Sequence, residues 1–310
     1  MPNRTPDEYK FVFIGGLHRS GTSLLAKVLS QHPSISGFSN TGVVEDEGQF
    51  LQTVYPDDNV HGGAGRFVFD PGAHLTETSS IITENNKEKL WKEWSSYWDL
   101  EKRVLIEKTP GNLIKARFLQ SMLPNCYFIF ILRHPIANAL ANYKWSGTGI
   151  YSLIHHWVLG HELMKSDIPH LDNLLVLSYE SFTKQPDNAL LQIEDFLDLN
   201  HFSYNFDING QINKKYFDLW YMLFYSESNR TKPVTTIDQF NSYKQKFPNI
   251  NWKRAAKMYI RKHLFGEDRQ LSSTKFESQD AVSVFEQRIN TFGYSLINLD
   301  IYPDNIVEYK

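Results

Sequence analysis

The sequence predicts an α/β protein: a three-layer α/β/α sandwich around a central parallel sheet, with extra helices toward the C-terminal end. Three observations carry that expectation. Short runs, apolar throughout but for Arg103 at the head of the second, recur at residues 11–14, 103–106, 126–132 and 174–177. Segments between and after them show the three-and-four spacing of helices. Such runs, unlike alternating ones, belong to strands covered on both faces, which is the setting of a parallel sheet.

Residues 11–14 form the first expected strand. A Gly-bearing turn follows, and residues 23–29 carry helix-spaced Leu and Val, so the chain opens as strand, loop, helix. Residues 103–106 and 126–132 supply two more strands, with a helical pattern at 113–122 between them, a β-α-β crossover. Residues 174–177 add a fourth strand. Ligands of such sheets lie at the carboxyl ends of the strands. Residues 59–72 are rich in Gly and read as a mobile loop. Trp91, Trp94 and Trp98 fall on one helix face after it and read as core anchors. Beyond residue 199 the pattern is mainly helical, at 214–224, 252–264 and 281–291, and the polar stretch 227–238 reads as a surface connection. No repeat or linker divides the 310 residues. One domain is expected over 1–310, with 56–100 as an acceptor-side loop and helix insertion and 200–310 as a helical C-terminal part.

Composition narrows the function. Apolar residues make up 41% and charged residues 22%, the proportions of a soluble globular chain. With 32 basic against 35 acidic residues the formal charge is −3. That offers no global field for nucleic acid or an anionic membrane, so any anion must be met by a local site. The single cysteine, Cys126, supports neither an intrachain disulfide nor a cysteine metal cage. No apolar stretch is long enough to span a bilayer, and a cytoplasmic location is expected.

The strongest chemical signal is Gly16-Leu17-His18-Arg19-Ser20-Gly21-Thr22-Ser23, set between the first strand and the first helix. Its spacing is that of a phosphate-binding P-loop, where backbone amides and a helix N-terminus surround an anion. A nucleotide triphosphatase would carry Lys after the second Gly. Here Thr22 follows Gly21, and the cation, Arg19, lies inside the loop.

At this point the sequence resembles the sulfotransferase family. His18 to Ser23, continued by Leu24 and Leu25, is similar to that family's 5′-phosphosulfate loop, with His18 in place of a Pro. Glu107-Lys108-Thr109-Pro110 resembles the Lys-Thr-Pro element of its glycan and tyrosylprotein branch. Ile131-Leu132-Arg133-His134-Pro135 resembles the strand and helix that bind the donor's 3′-phosphate. Ser178-Tyr179-Glu180-Ser181-Phe182 is similar to its Tyr-Glu-Asp-Leu segment, and Phe292-Gly293-Tyr294 to its last helix exit. The resemblance covers roughly residues 10 to 200 plus that short tail.

The resemblance implies a PAPS-dependent sulfotransferase: sulfuryl transfer from 3′-phosphoadenylyl sulfate (PAPS) to a hydroxyl or amino group, without a metal. It implies His18, Arg19, Ser20, Gly21, Thr22 and Ser23 around the 5′-phosphate, and Arg133 at the 3′-phosphate, with Tyr179 nearby. The family's Ser eight residues beyond that Arg is Ala141 here, and Asn142 and Asn138 are the candidates to replace it. Lys108, with Arg19, would stabilise the leaving bridging oxygen. Pro110 occupies the place of the small-molecule branch's His base, which leaves Glu47 first and Glu45 second as bases. Glu45, Asp46 and Glu47 should repel one another and raise at least one pKa, or attract a cationic acceptor. The expected partner is a small intracellular acceptor, with no nucleic acid and no membrane. Two other readings stay open, a P-loop kinase or ATPase and a catalytically inactive relative that binds adenosine 3′,5′-bisphosphate (PAP).

Some residues fall outside these motifs. His155, His156 and His161 share a predicted helix without the spacing of a metal site. His61, His74, Arg66 and Asp70 lie in or beside the Gly-rich loop, where an acceptor could be gripped.

Overall fold

The computed structural model describes residues 4–206, 213–223 and 278–309, with the single positions 241 and 253. Its frame is one sheet in the order β2-β3-β1-β4-β5-β6. The strands are Lys10–Gly15 (β1), Ile35–Gly37 (β2), Val104–Lys108 (β3), Cys126–Leu132 (β4), Leu174–Ser178 (β5) and Val307–Tyr309 (β6). β1 to β5 pair in parallel. β6 runs antiparallel to β5, so the expected parallel sheet carries one short antiparallel edge. Neither β2 nor β6 was legible beforehand, because three residues show no period.

Side-chain alternation splits the sheet into two dry faces. Phe11, Phe13, Leu105, Phe128 and Phe130 enter one core cluster. Val12, Ile14, Ile106, Ile129 and Ile131 enter the other. Helices cover both: Thr22–Leu29 (α1), Tyr179–Lys184 (α6) and Pro186–Phe196 (α7) on the second face, with Glu84–Ser95 (α2), Ala116–Met122 (α3), Pro135–Ser146 (α4) and Ile150–Asp167 (α5) against the first. The three-layer α/β/α fold follows. Lys214–Leu223 (α8) and Ser278–Asn290 (α9) complete the described helices. The expectations for 227–238 and 252–264 lie outside the described residues, apart from position 253.

Two expectations change. The Gly-rich stretch is no unattached loop: it forms 3-10 turns at Phe67–Phe69 and Pro71–Ala73. Phe67 is fully buried, and Arg66 Nε donates to Thr148 Oγ1 at 2.9 Å, because apolar residues among the glycines dock on α5. The tryptophans are core anchors, yet Trp98 lies beyond the end of α2. Trp94 Nε1 donates to the Gly48 carbonyl at 3.0 Å and Trp98 Nε1 to that of Ile106 at 2.9 Å. The first bond ties α2 to the Gly48 turn, and the second ties the segment after α2 to the middle of β3. Among the described residues no helix is long and apolar enough to cross a membrane.

Candidate active site

The loop after β1 is shaped by residues with φ in the left-handed region, Arg19 at +70° and Gly21 at +107°. At Gly21 a side chain would also collide: an added Cβ would stand 2.6 Å from the Tyr179 ring. Gly21 is the N-cap of α1 and has no side chain to accept from its first turn, so those amides stay open toward the loop's concave side. Ser20 and Thr22 are buried. From behind, α4 grips the loop: Asn138 Nδ2 donates to the His18 carbonyl at 2.9 Å and to Ser20 Oγ at 3.0 Å. Asn142 Nδ2 donates to the same carbonyl at 2.7 Å. Both asparagine amides are therefore engaged in bracing the loop, and Ala141 packs into the core. The His18 imidazole meets the Phe67 ring edge-on, and burial lowers its pKa.

Arg133 follows β4 and is 6% exposed. Its Nη1 donates to the Arg19 carbonyl at 2.8 Å, its Nε and Nη2 to Asn213 Oδ1 at 3.0 and 2.8 Å, and its guanidinium lies 4.4 Å over the Tyr179 ring. Burial lowers its pKa from the usual guanidinium value, opposed by Tyr179, Glu180 and Tyr216. Glu180 is the half-buried anchor of this corner, accepting from His134 N at 3.0 Å, from Asn213 Nδ2 and from Tyr294 OH at 3.1 Å. Burial raises its pKa.

Replacing Gly21 by Ala is expected to push Tyr179 away and unseat the guanidinium stacked on it. The strained backbone costs about 1–3 kcal/mol. Calorimetric titration with PAP should show donor-type affinity lost by at least about tenfold, the equivalent of about 1.4 kcal/mol. Wild-type affinity would contradict this.

Lys108 ends β3 and pairs in register with Ile14 of β1, which brings it to the mouth of the loop. Its Nζ donates to Glu47 Oε1 at 3.2 Å and to the Glu45 carbonyl at 2.8 Å. The two side chains of the pair are 5% and 7% exposed. The three acidic residues do not act as one cluster. Glu45 is exposed, while Asp46 Oδ1 accepts from the Thr41 amide at 2.8 Å and hydroxyl at 2.6 Å. The Thr41 hydroxyl bond above all holds Asp46 below the usual carboxylate range. The nearby carboxyl that does titrate high is Glu107, pushed up to about 7 by burial. A cleft of about 410 Å³ lies beside this pair, lined by Ser23, Lys27, Phe38, Asp46 and Lys108 among others.

The other polar residues singled out in the sequence engage one another. His61 Nδ1 meets Asp70 Oδ2 at 2.7 Å, and His74 Nε2 meets Asp167 Oδ2 at 2.9 Å. His156 and His161 are buried in α5, and burial takes the His161 pKa down to about 4. Among the described residues no group of His, Cys, Asp and Glu could hold a metal ion. Sequence reasoning missed Asn213, 80 residues from its partner Arg133, and the buried Lys115–Asp58 pair at 2.6 Å. Its only trace is a lysine inside an apolar helical pattern.

A strand, P-loop-like turn and helix, with Lys108 at the end of a neighbouring parallel strand, belong to a three-layer α/β/α fold. A sulfotransferase family profile matches residues 12–203, and the chain belongs to that family. Among solved structures it is similar to the sulfotransferase domain of the Synechococcus PCC 7002 olefin synthase, at 17% identity and a TM-score of 0.44 over 95% of this chain and 98% of that one. A sulfotransferase from Alicyclobacillus acidocaldarius matches at 16% identity and a TM-score of 0.40 over 83% and 96%. Mouse sulfotransferase SULT7A1, complexed with PAP, matches at 16% and 0.35 over 82% and 92%. No curated protein matches the chain at a significant level.

Proposed function

We propose that this chain transfers a sulfuryl group from PAPS to a hydroxyl or amino group of a small acceptor. The observation that carries the reading is a two-ended cradle at the loop after β1. At one end stand the uncapped amides of α1, with Arg19 in the loop before them. At the other stands Arg133, locked to that same loop through the Arg19 carbonyl. The donor set suits a carrier with phosphates at both ends: amides and hydroxyls for one, a guanidinium stacked on Tyr179 for the other.

PAPS supplies the sulfuryl group and a phosphate leaving group, and the protein's part is position and charge. An acceptor oxygen in the cleft attacks sulfur in line as the bond from sulfur to the bridging oxygen breaks. The acceptor proton passes to the Glu47 carboxylate, and the charge growing on the bridging oxygen falls to Lys108. The Glu47–Lys108 contact holds the two side chains together before substrate arrives. Glu45 meets Lys108 through its carbonyl and lines the cleft. The 56–100 segment, fastened through Phe67 and Trp94, forms the acceptor-side wall.

Two measurements test the reading. Mass spectrometry of a panel of hydroxylated and amino compounds incubated with PAPS should show the mass gain of one SO3 group. PAP without magnesium should protect the protein from heat, and magnesium ATP should not, the reverse of a kinase. For the base, Glu47→Gln should lower turnover about a hundred- to ten-thousandfold, whereas Glu45→Gln stays near wild type. Equal losses in the two variants would remove Glu47 from the role.

A further inference from the structure

We propose that Glu107 is a positioning residue for the transfer: its buried carboxylate fastens the Glu47–Gly48–Gln49 turn to the end of β3 and so sets the contact between Glu47 and Lys108. The proposal rests on the roles assigned above to Glu47 and Lys108.

Glu107 precedes Lys108 on β3, so strand alternation turns its side chain to the opposite face. It is fully buried. Its Oε1 accepts from the Gly48 amide at 2.9 Å and from Thr109 Oγ1 at 2.5 Å, and its Oε2 accepts from Asn112 Nδ2 at 2.5 Å. Thr109 Oγ1 in turn accepts from the Gln49 amide at 3.2 Å. Two successive amides of the turn are thus tied to β3, one directly and one through Thr109. Gln49 Nε2 donates to Glu47 Oε2 at 2.6 Å, while Lys108 holds the other oxygen of the same carboxylate. The approach is close enough to require glycine, since a Cβ on Gly48 would stand 2.5 Å from the Glu107 carboxylate.

Stability alone does not call for this arrangement. A carboxylate without a cation bonded to it is costly to bury, and burial pushes this one up to about 7 against the opposing pull of Thr109, Asn112, Gly48 and Lys108. The charged and titratable groups that face it are Lys108 on its own strand and Tyr55 beyond the turn. Thr109, Asn112 and Trp94 carry no titratable charge. A proton on Glu107 would place an O–H where donors already converge, breaking at least one tie. The ionised form holds the turn, so turnover should fall as pH drops through about 7.

The test is Glu107→Gln in the full chain, read by PAP affinity, by kcat and KM across pH, and by crystal structures of wild type and variant. The expected result is unchanged PAP affinity and donor KM, kcat lower by about ten- to a hundredfold, and loss of the acidic limb of the pH profile. In the crystal, the Glu47–Lys108 contact, 3.2 Å in the wild type, should be broken. A contact left intact overturns the proposal whatever the rate, as does wild-type kcat with an unaltered pH profile. Where Glu107→Gln does not fold, Thr109→Val, which deletes the hydroxyl shared by Glu107 and Gln49, should likewise lower kcat and break the Glu47–Lys108 contact. The acidic limb should then move to higher pH, because that hydroxyl helps to hold the Glu107 pKa down; an intact contact, or wild-type kcat with an unaltered pH profile, overturns the proposal. An inactive wild-type protein would instead sink the assignment of sulfuryl transfer, and the crystal comparison would still decide on Glu107.

Discussion

Lys108→Ala is expected to lower turnover about a hundred- to a thousandfold, the usual loss when a donor aimed at transition-state charge is removed, while PAP still binds. The reason for the split is location. In the proposed reading the nucleotide rests on the α1 amides and Arg133, and Lys108 touches neither; it meets Glu47 and the Glu45 carbonyl at the cleft. Truncation also leaves Glu47 without its cation in a nearly closed site. PAP titration and thermal melting must therefore accompany the kinetics, to show that the fold persists. Near-normal turnover would take Lys108 out of the mechanism, and PAP affinity lost in step with turnover would make it a binding residue.

The second large effect concerns stability. Lys115 and Asp58 form an ion pair at 2.6 Å whose side chains are 1% and 2% exposed, and Asp58 Oδ2 has no hydrogen-bond partner among the described residues. Lys115→Met would strand that carboxylate in a dry interior, at a cost of about 3–5 kcal/mol. The pair fastens the segment after Tyr55 to the start of α3. A double variant, Asp58→Leu with Lys115→Met, should recover most of the loss, because a buried pair replaced by apolar groups is often neutral. Urea denaturation of the three proteins measures this. A single-variant change of less than about 1 kcal/mol, the size of an exposed pair, would show that the site is wetter than its geometry implies.

The central strands were legible because β1, β3, β4 and β5 are buried on both faces and so spell unbroken apolar runs. The loop after β1 was legible because its Gly, Arg and hydroxyl residues lie within one local turn. What sequence could not show was placed by tertiary contact. Arg133 and Asn213 meet through the fold, and no period or spacing links them. The bond from Asn142 to the His18 carbonyl is set by how α4 packs behind the loop. The acidic triplet resembled one electrostatic unit on paper. The chain separates it, because Glu45 and Asp46 adopt left-handed φ of +54° and +50°, and of the three carboxylates the one bonded to Lys108 is that of Glu47. Glu107 could be recognised only once Gly48 was seen folded back on it.

The account stands most directly on a crystal structure of the protein soaked with PAP. It predicts the 5′-phosphate within hydrogen-bonding distance of the amides at the start of α1, the 3′-phosphate on Arg133, and the Lys108 ammonium facing the vacant sulfuryl position. A nucleotide seated elsewhere, or Arg133 and Lys108 directed away from it, would contradict the account.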